Sequence, residues 1–371
     1  MNTVPLVDLA WQDHAIATTV AAGWADVIAT GAFTNGPDVA AFESEYAAFL
    51  GVAHCIGVSN GTDAIELILR AQGIGSGDEV LLPANTFFAT AEAVVRAGAI
   101  PVACDVDAQT LQLDVNDAAA RVTSRTAAIV PVHLHGHPAP MDAVMMLAEW
   151  AGIFVLEDAA QSQGARLHGR LVGAWGDAAA TSFYPGKNLG AYGDAGAVMT
   201  NDQQRADRVR QLRDHGSVEK YRHDAFGCTA RLDTLQAVVL RAKLPFLNAW
   251  NERRVEAARI YDELLDGLPG VERPGVAPGA EPVWHCYVVR VPERDAVLAG
   301  LHRAGIGAGI HYPVPVHHTP AWMNAGYETP ELPVAERAAD EILTLPMFPG
   351  ITRAQQERVV EALALALRRA A

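Results

Sequence analysis

The chain has 371 residues, half of them apolar, with 28 Lys and Arg against 43 Asp and Glu and a formal net charge of −15. That length supports a large domain and a smaller one around deep cores. The scattered acidic charge excludes a basic stripe for nucleic acid and an anionic membrane surface, yet leaves room for a local basic pocket.

The N-terminus, MNTVPLVDLAWQDH, has no basic region followed by an apolar one, so no signal peptide is read and a cytoplasmic protein is expected. From about residue 50 to 200, β-rich runs alternate with helical patterns. HCIGVSN leads into TDAIELILRAQ, DEVLLPA into FFATAEAVVRAG, and AAIVPVHLHG into MDAVMMLAEWAG, with IPVACDVD and IFVLEDAAQ as further strands. Such alternation predicts crossover units around a parallel sheet, with ligands collecting beyond the carboxyl ends of the strands. Helical periodicity returns in LDTLQAVVLRAKLPFLNAWNERRVEAARIYDELLDGL, and LPGVERPGVAPGAEP breaks it. A strand CYVVRV, a helix RDAVLAGLHRAG, a loop GIHYPVPVHHTPAW and two tail helices complete the reading. The domain boundary falls near residue 245, within the long connecting helix. The four cysteines, Cys55, Cys104, Cys228 and Cys286, form no C-x-x-C pair and read as buried thiols.

Several short stretches carry chemistry. In VSNGTDAIEL, Ser59, Asn60, Gly61 and Thr62 lie between a strand and a helix. Gly61 permits close backbone approach, and free N–H groups at the helix start can hold a phosphate. Ordinary capping by Asn60 and Asp63 explains the same residues. IFVLEDAAQ ends an apolar strand in Glu157 and Asp158, a costly place for a carboxylate unless it is paired or works chemically; capping the next helix is the plainer alternative. Gln161, three residues on, faces the same way on a helical turn. In TSFYPGKNLGAYGDAG, a single lysine, Lys187, sits among small, aromatic and glycine residues. Desolvation there lowers an amine's pKa and suits it to Schiff-base chemistry. Pyridoxal phosphate needs a lysine for its aldehyde, a carboxylate for its ring nitrogen, a phosphate cradle and a flat group over the ring. Lys187, Asp158, the 59–62 turn with Ser182, and Phe87 supply one each.

The chain resembles the fold-type I pyridoxal-phosphate enzymes, specifically the sugar-nucleotide aminotransferases of the DegT family. The resemblance runs nearly end to end, through VPLVDLAWQ, TNGPDVAAFESEYAAFLG, SNGTDAIEL, PANTFFAT, HLHGHPAPMD, EDAAQSQGA, SFYPGKNLGAYGDAGA, LRDHGSVEKYRHDAFG, RLDTLQA, GIHYPVPVH and LPMFPG. It implies an α/β fold with a large domain, residues 1–245, whose mostly parallel mixed sheet is flanked by helices. A small C-terminal α+β domain, 246–371, follows, and the N-terminal arm packs on it. It also implies a homodimer with shared active sites. By this resemblance Lys187 forms the Schiff base and then acts as general acid and base. Asp158 pairs with the pyridine nitrogen, Gln161 meets the ring hydroxyl, and Phe87 stacks on the ring. Gly61, Thr62 and Ser182 bind the phosphate.

FYPGKNLGAYGD is similar to the members that aminate C-3 of a dTDP-linked 3-keto-6-deoxyhexose, with L-glutamate as the expected donor. In that group Tyr184, His311 and Tyr312 approach the substrate pyrophosphate, with Lys220 and Tyr221 arriving from the neighbouring subunit. Two departures stand out. GCTARLD puts Thr229 where the family usually donates an Asn across the dimer to the cofactor phosphate, and a hydroxyl reaches less far than an amide. HLHGHPAPMD carries His135 and His137 where Tyr and Gln are usual, and these read as surface or packing residues.

Keto-cyclitol and C-4 keto-sugar amination, or cofactor binding without catalysis, remain open alternatives. A sugar dehydratase of the same family would replace Lys187 with histidine. The glycines of GIGSGDE and GAYGDAG lack dinucleotide spacing and read as turns. His311, His317 and His318 have no carboxylate or ligand spacing beside them in sequence, so no metal is expected.

Overall fold

Residues 3–370 are described by a computed structural model built around a seven-stranded sheet. Short apolar runs form β1 (His54–Val58), β2 (Glu79–Pro83), β3 (Ile100–Cys104), β4 (Thr126–Ile129), β5 (Phe154–Asp158), β6 (Ala178–Ser182) and β7 (Gly196–Thr200). Their order across the sheet is β1-β7-β6-β5-β4-β2-β3. The pairs from β3 through β2, β4 and β5 to β6 are parallel, and β7 runs antiparallel to both β6 and β1. All strands but β7 therefore point one way, and their carboxyl ends open along one edge.

Helices on both faces explain why these strands are apolar on both sides. Along β2, Val80 and Leu82 enter a core with Ile65, Leu67 and Leu69 of helix Gly61–Gln72. Leu81 points the other way, onto Val144 and Leu147 of helix Met141–Ala151. In β5 the alternation continues, with Leu156 on the first face and Val155 on the second. Burying each such side chain stabilises the fold by about 1.5–3 kcal/mol.

The long helical stretch after residue 233 is not continuous. Helix Thr234–Lys243 passes through a 3-10 turn, Leu244–Phe246, into helix Leu247–Leu265. Pro245 supplies no backbone N–H, so the regular hydrogen-bond ladder cannot run through it. Ala257, Ala258 and Tyr261 of the later helix belong to a second core with strand Tyr287–Arg290 and helices Arg294–Arg303 and Arg353–Ala370. Val4 enters the same core and bridges in parallel to Ile306.

One expectation needs correction. The tail was read as two helices alone, yet Ile342–Leu345 between them is a strand, paired antiparallel with Tyr287–Arg290. A four-residue apolar run has no periodicity of its own, and the partner strand decides it. Among the described residues no helix is long and apolar enough to cross a membrane, and the four cysteines are free, three of them buried.

Candidate active site

The loops leaving β1, β2, β5 and β6 converge on a cavity of about 440 Å³ lined by Gly61, Thr62, Phe87, Thr90, Asp158, Gln161, Ser182, Tyr184 and Lys187. The N-terminal arm (Leu6, Val7) and the C-terminal segments (His285, Cys286, His311, Tyr312) close its other side.

Period-two alternation separates the two carboxylates that end β5. Glu157 turns away from the cavity. It accepts hydrogen bonds from the backbone of Gly173, Trp175 and Gly176 at 2.7, 2.7 and 2.8 Å, and meets His133 Nε2 at 3.0 Å. Burial works to raise its pKa, but His133 and the backbone donors outweigh burial and leave it lowered. Asp158 faces the cavity. Its Oδ2 accepts from Thr90 Oγ1 at 2.8 Å, and its Oδ1 accepts from the Ala160 N–H at 3.1 Å. Thr90 spends its one proton on the carboxylate, so Thr86, 2.8 Å away, donates to Thr90. A turn follows Asp158 rather than the helix the capping alternative required.

The turn from β1 into helix Gly61–Gln72 shows real capping as well as a cradle. Asn60 Oδ1 accepts from the Asp63 N–H at 2.8 Å, and Asn60 Nδ2 donates to Asp63 Oδ2 at 2.9 Å. A Cβ on Gly61 would lie 2.9 Å from Ser182 Cβ. The missing side chain thus lets the helix start sit against the end of β6, placing backbone N–H groups beside a hydroxyl.

Lys187 follows a tight turn in which its N–H donates to the Tyr184 carbonyl at 2.8 Å. A Cβ on Gly190 would lie 2.3 Å from the Pro185 carbonyl oxygen, so only glycine lets the chain fold back here. The surrounding walls desolvate the amine and lower its pKa, while Asp158 pulls the other way. Phe87 stands at the mouth with its ring centroid 5.1 Å from that of Tyr312, tilted 36°. Gln161 Nε2 donates to Tyr312 Oη at 3.0 Å, and Gln161 Oε1 accepts from the His135 N–H at 2.6 Å.

His135 and His137 are buried, so the surface reading of them fails and the packing reading stands. His135 Nε2 donates to the His311 carbonyl at 2.9 Å. His137 uses both nitrogens, Nδ1 donating to Pro138 O at 2.8 Å and Nε2 accepting from the Ala277 N–H at 3.0 Å. Burial lowers both imidazoles to about 4. His311 Nδ1 meets Thr344 Oγ1 at 2.8 Å, and burial, then Lys187, lower its pKa. Burial also pushes the Cys286 thiol up to about 11.

Lys220, Tyr221 and Thr229 do not join this cavity within one chain. Lys220 and Tyr221 form the tip of a hairpin between Ser217–Glu219 and Arg222–His223, with Tyr221 85 % exposed. Thr229 Oγ1 lies 2.8 Å from His215 Nε2. The histidines of HYPVPVHH also part. His311 stays in the cavity, whereas His317 and His318 lie 3.3 and 3.6 Å from Oε1 of Glu336, which accepts the Leu332 N–H at 2.9 Å.

Thr90, His285 and Cys286 were missed in the sequence. Thr90 has no local signal, whereas His285 is a polar residue heading an apolar strand. The assembled set suits a flat phosphate-bearing aldehyde with a ring nitrogen. It offers a desolvated amine, an anchored carboxylate, an aromatic face, and a helix start that a Cβ would obstruct.

The comparisons agree with that chemistry. The DegT/DnrJ/EryC1/StrS aminotransferase family matches residues 15–364. The chain is 45% identical over 362 residues to the dTDP-3-amino-3,4,6-trideoxy-alpha-D-glucose transaminase of Streptomyces venezuelae, covering 97% of this chain and 95% of that one. The structure of S. venezuelae DesV in complex with a ketimine intermediate superposes with a TM-score of 0.95 at 44% identity, with 98% of each chain covered. NtdA from Bacillus subtilis, solved with bound cofactor PMP, gives a TM-score of 0.91 at 30% identity, covering 99% of this chain and 86% of that one.

Proposed function

The chain belongs to the DegT/DnrJ/EryC1/StrS aminotransferase family, and from that premise we propose that it moves an amino group from L-glutamate to C-3 of a dTDP-linked 3-keto-6-deoxyhexose. It is a pyridoxal-phosphate-dependent aminotransferase, and the bound cofactor supplies the electron sink for carbanion chemistry at the donor. The observation that carries this reading is the meeting of Lys187, Asp158 and the Gly61–Ser182 cradle in one cavity.

The chain's own residues divide the work. Lys187 Nζ would take the proton from the donor's α-carbon and pass it to the cofactor's former aldehyde carbon, a shift that a lowered amine pKa favours. Asp158, oriented by Thr90, keeps a proton on the ring nitrogen. The start of helix Gly61–Gln72 and the hydroxyls of Thr62 and Ser182 bind the phosphate, where the helix N-terminus favours an anion. Phe87 covers one face of the ring, and Gln161 meets the ring hydroxyl.

Tyr184, His311 and Tyr312 face the nucleotide sugar's pyrophosphate, joined by Lys220 and Tyr221 of a second copy. The exposed hairpin tip outside its own cavity supports that donation, as does the basic charge an acidic chain needs for a dianion. Thr229 reaches the second copy's phosphate site in the same way. We place the protein in the cytoplasm as a homodimer, with its two domains meeting at the turn around Pro245.

The test is the absorption spectrum of protein loaded with pyridoxal phosphate, before and after L-glutamate. A visible band that glutamate converts to the pyridoxamine form, and that a dTDP-3-keto-6-deoxyhexose restores, supports the reading. A band that glutamate and glutamine both leave untouched counts against it and favours cofactor binding without transfer.

A further inference from the structure

Lys187 is followed by Asn188, and that side chain is almost completely buried. Asn188 Nδ2 donates to Asn251 Oδ1 at 2.9 Å and to the Val283 carbonyl at 3.0 Å, while Asn188 Oδ1 lies 3.2 Å from His285 Nδ1. Asn251 Nδ2 donates onward to the Gln163 carbonyl at 2.8 Å. Gln163 Nε2 in turn donates to Thr181 Oγ1 at 2.9 Å and to the Ser182 carbonyl at 2.8 Å. One buried chain thus runs from the wall of the cavity, past the neighbour of the lysine, to the strand end that carries Ser182.

The chain has a forced direction. Backbone carbonyls only accept, so the atoms facing Val283 and Gln163 must be the amide nitrogens of Asn188 and Asn251. Both amides are then oriented, and Asn188 presents its oxygen to His285. His285 must donate from Nδ1, which leaves Nε2 as the unprotonated nitrogen of a neutral ring that lines the cavity. Burial, Lys187 and Arg254 all work against a charged ring there. Arg254 is itself buried and bonded to the Trp284 and Met347 carbonyls at 3.3 and 3.2 Å.

We propose that His285 is a positioning residue for Lys187, acting as an Nδ1–H donor that clamps Asn188 and thereby sets where the neighbouring amine points. The inference rests on the reading of Lys187 as the reactive amine. Two adjacent backbone units share one turn, so freeing Asn188 lets the Lys187 side chain leave its line of approach. Misplacement of a reacting group by 1 Å costs about 100-fold in rate.

Two substitutions separate the nitrogens of the ring. In His285→Asn the amide nitrogen occupies the Nδ1 position and still donates to Asn188. In His285→Gln the amide reaches the Nε2 position and leaves Asn188 Oδ1 unpaired. With protein loaded with pyridoxal phosphate, His285→Gln is expected to slow the glutamate half-reaction about 100-fold and shift the pH midpoint of the visible band, whereas His285→Asn stays within about tenfold of wild type. In an Asn188→Ala background, His285→Gln is expected to add no further loss, because both changes cut the same link. Equal damage from both His285 variants, additive losses with Asn188→Ala, or a fall in Tm with no change in the band's midpoint would each overturn the proposal. Long-range proton–nitrogen NMR on protein without cofactor, labelled at histidine, reads the tautomer directly. An Nε2–H ring refutes the clamp even where the wild-type band behaves as expected. A wild-type protein that forms no visible band refutes the function instead, and the NMR result still decides the clamp.

Discussion

Thr90 Oγ1 donates to Asp158 Oδ2 at 2.8 Å, across 68 positions of sequence and in a fully buried setting. With Oδ1 held by the Ala160 N–H, the carboxylate is fixed at both oxygens and faces the cavity in one orientation. That rigidity is what a group needs if it is to hold a proton on a ring nitrogen throughout turnover.

Asp158→Asn is therefore expected to fold and to bind pyridoxal phosphate, but to lose transamination by at least about 100-fold, since an uncharged amide cannot stabilise the protonated ring. Single-turnover kinetics with glutamate check this, and an unchanged rate would remove Asp158 from the mechanism. Thr90→Val deletes one hydrogen bond to a charged acceptor, worth about 1.5–3 kcal/mol, and should give a smaller loss in the same assay.

Lys187→Ala should abolish both the visible band and turnover. Its circular dichroism should match wild type, because the amine is desolvated and Asp158, the charge that favours it, keeps its hydrogen bonds from Thr90 and the Ala160 N–H. Residual turnover at more than a trace level would sink the assignment of the reactive amine.

Gly61→Ala places a Cβ 2.9 Å from Ser182 Cβ. Overpacking of this kind costs about 1–3 kcal/mol, which should weaken cofactor binding by about tenfold or more. Pairing it with Ser182→Gly removes the clash but also the hydroxyl proposed to bind the phosphate. The steric part of the loss should be recovered and the hydroxyl's share should remain, as titration of the single and double variants with pyridoxal phosphate can show.

His135 and His137 should make the fold sensitive to mild acid. Each is neutral when folded, with a pKa lowered to about 4 by burial. The unfolded chain binds protons first, near pH 6.5, so the stability they contribute is complete above that pH. It is lost as the pH falls toward the folded value, on the order of 3 kcal/mol for each ring. Urea unfolding at pH 7, 6 and 5 should show the decline, and His137→Gln should make it shallower by the share of one ring. A stability that stays level over this range would contradict the buried neutral rings.

Mixing Lys187→Ala and Lys220→Ala subunits tests the shared site. If Lys220 serves the partner's cavity, a hybrid dimer has one intact site, and a random mixture should recover about a quarter of wild-type activity at low sugar concentration. No recovery would mean that Lys220 acts within its own chain or plays no part.

Much of the site could be read directly because local rules place it. Asp158, Ser182 and the Gly61 turn each mark the end of an apolar run, and strand ends of parallel sheets open on one edge whatever the rest of the chain does. Lys187 is marked by its company of glycine, proline and aromatics. These are properties of a few neighbouring residues, so the linear sequence was enough to point to Lys187, Asp158, Ser182 and the Gly61 turn, which line one cavity, and to the sheet around them. Other features depend on partners far away in the chain, and no local pattern encodes those. Ile342–Leu345 became a strand because Tyr287–Arg290 lay beside it. Thr90 acquired its role only where helix Phe88–Arg96 met the end of β5. His285 gained a fixed proton through a chain that joins residues 163, 188, 251 and 285. The residue types determined which chemistry was available; the folding of the C-terminal segments over the sheet edge decided how each group is oriented, because a hydrogen bond is set by distance and angle in space.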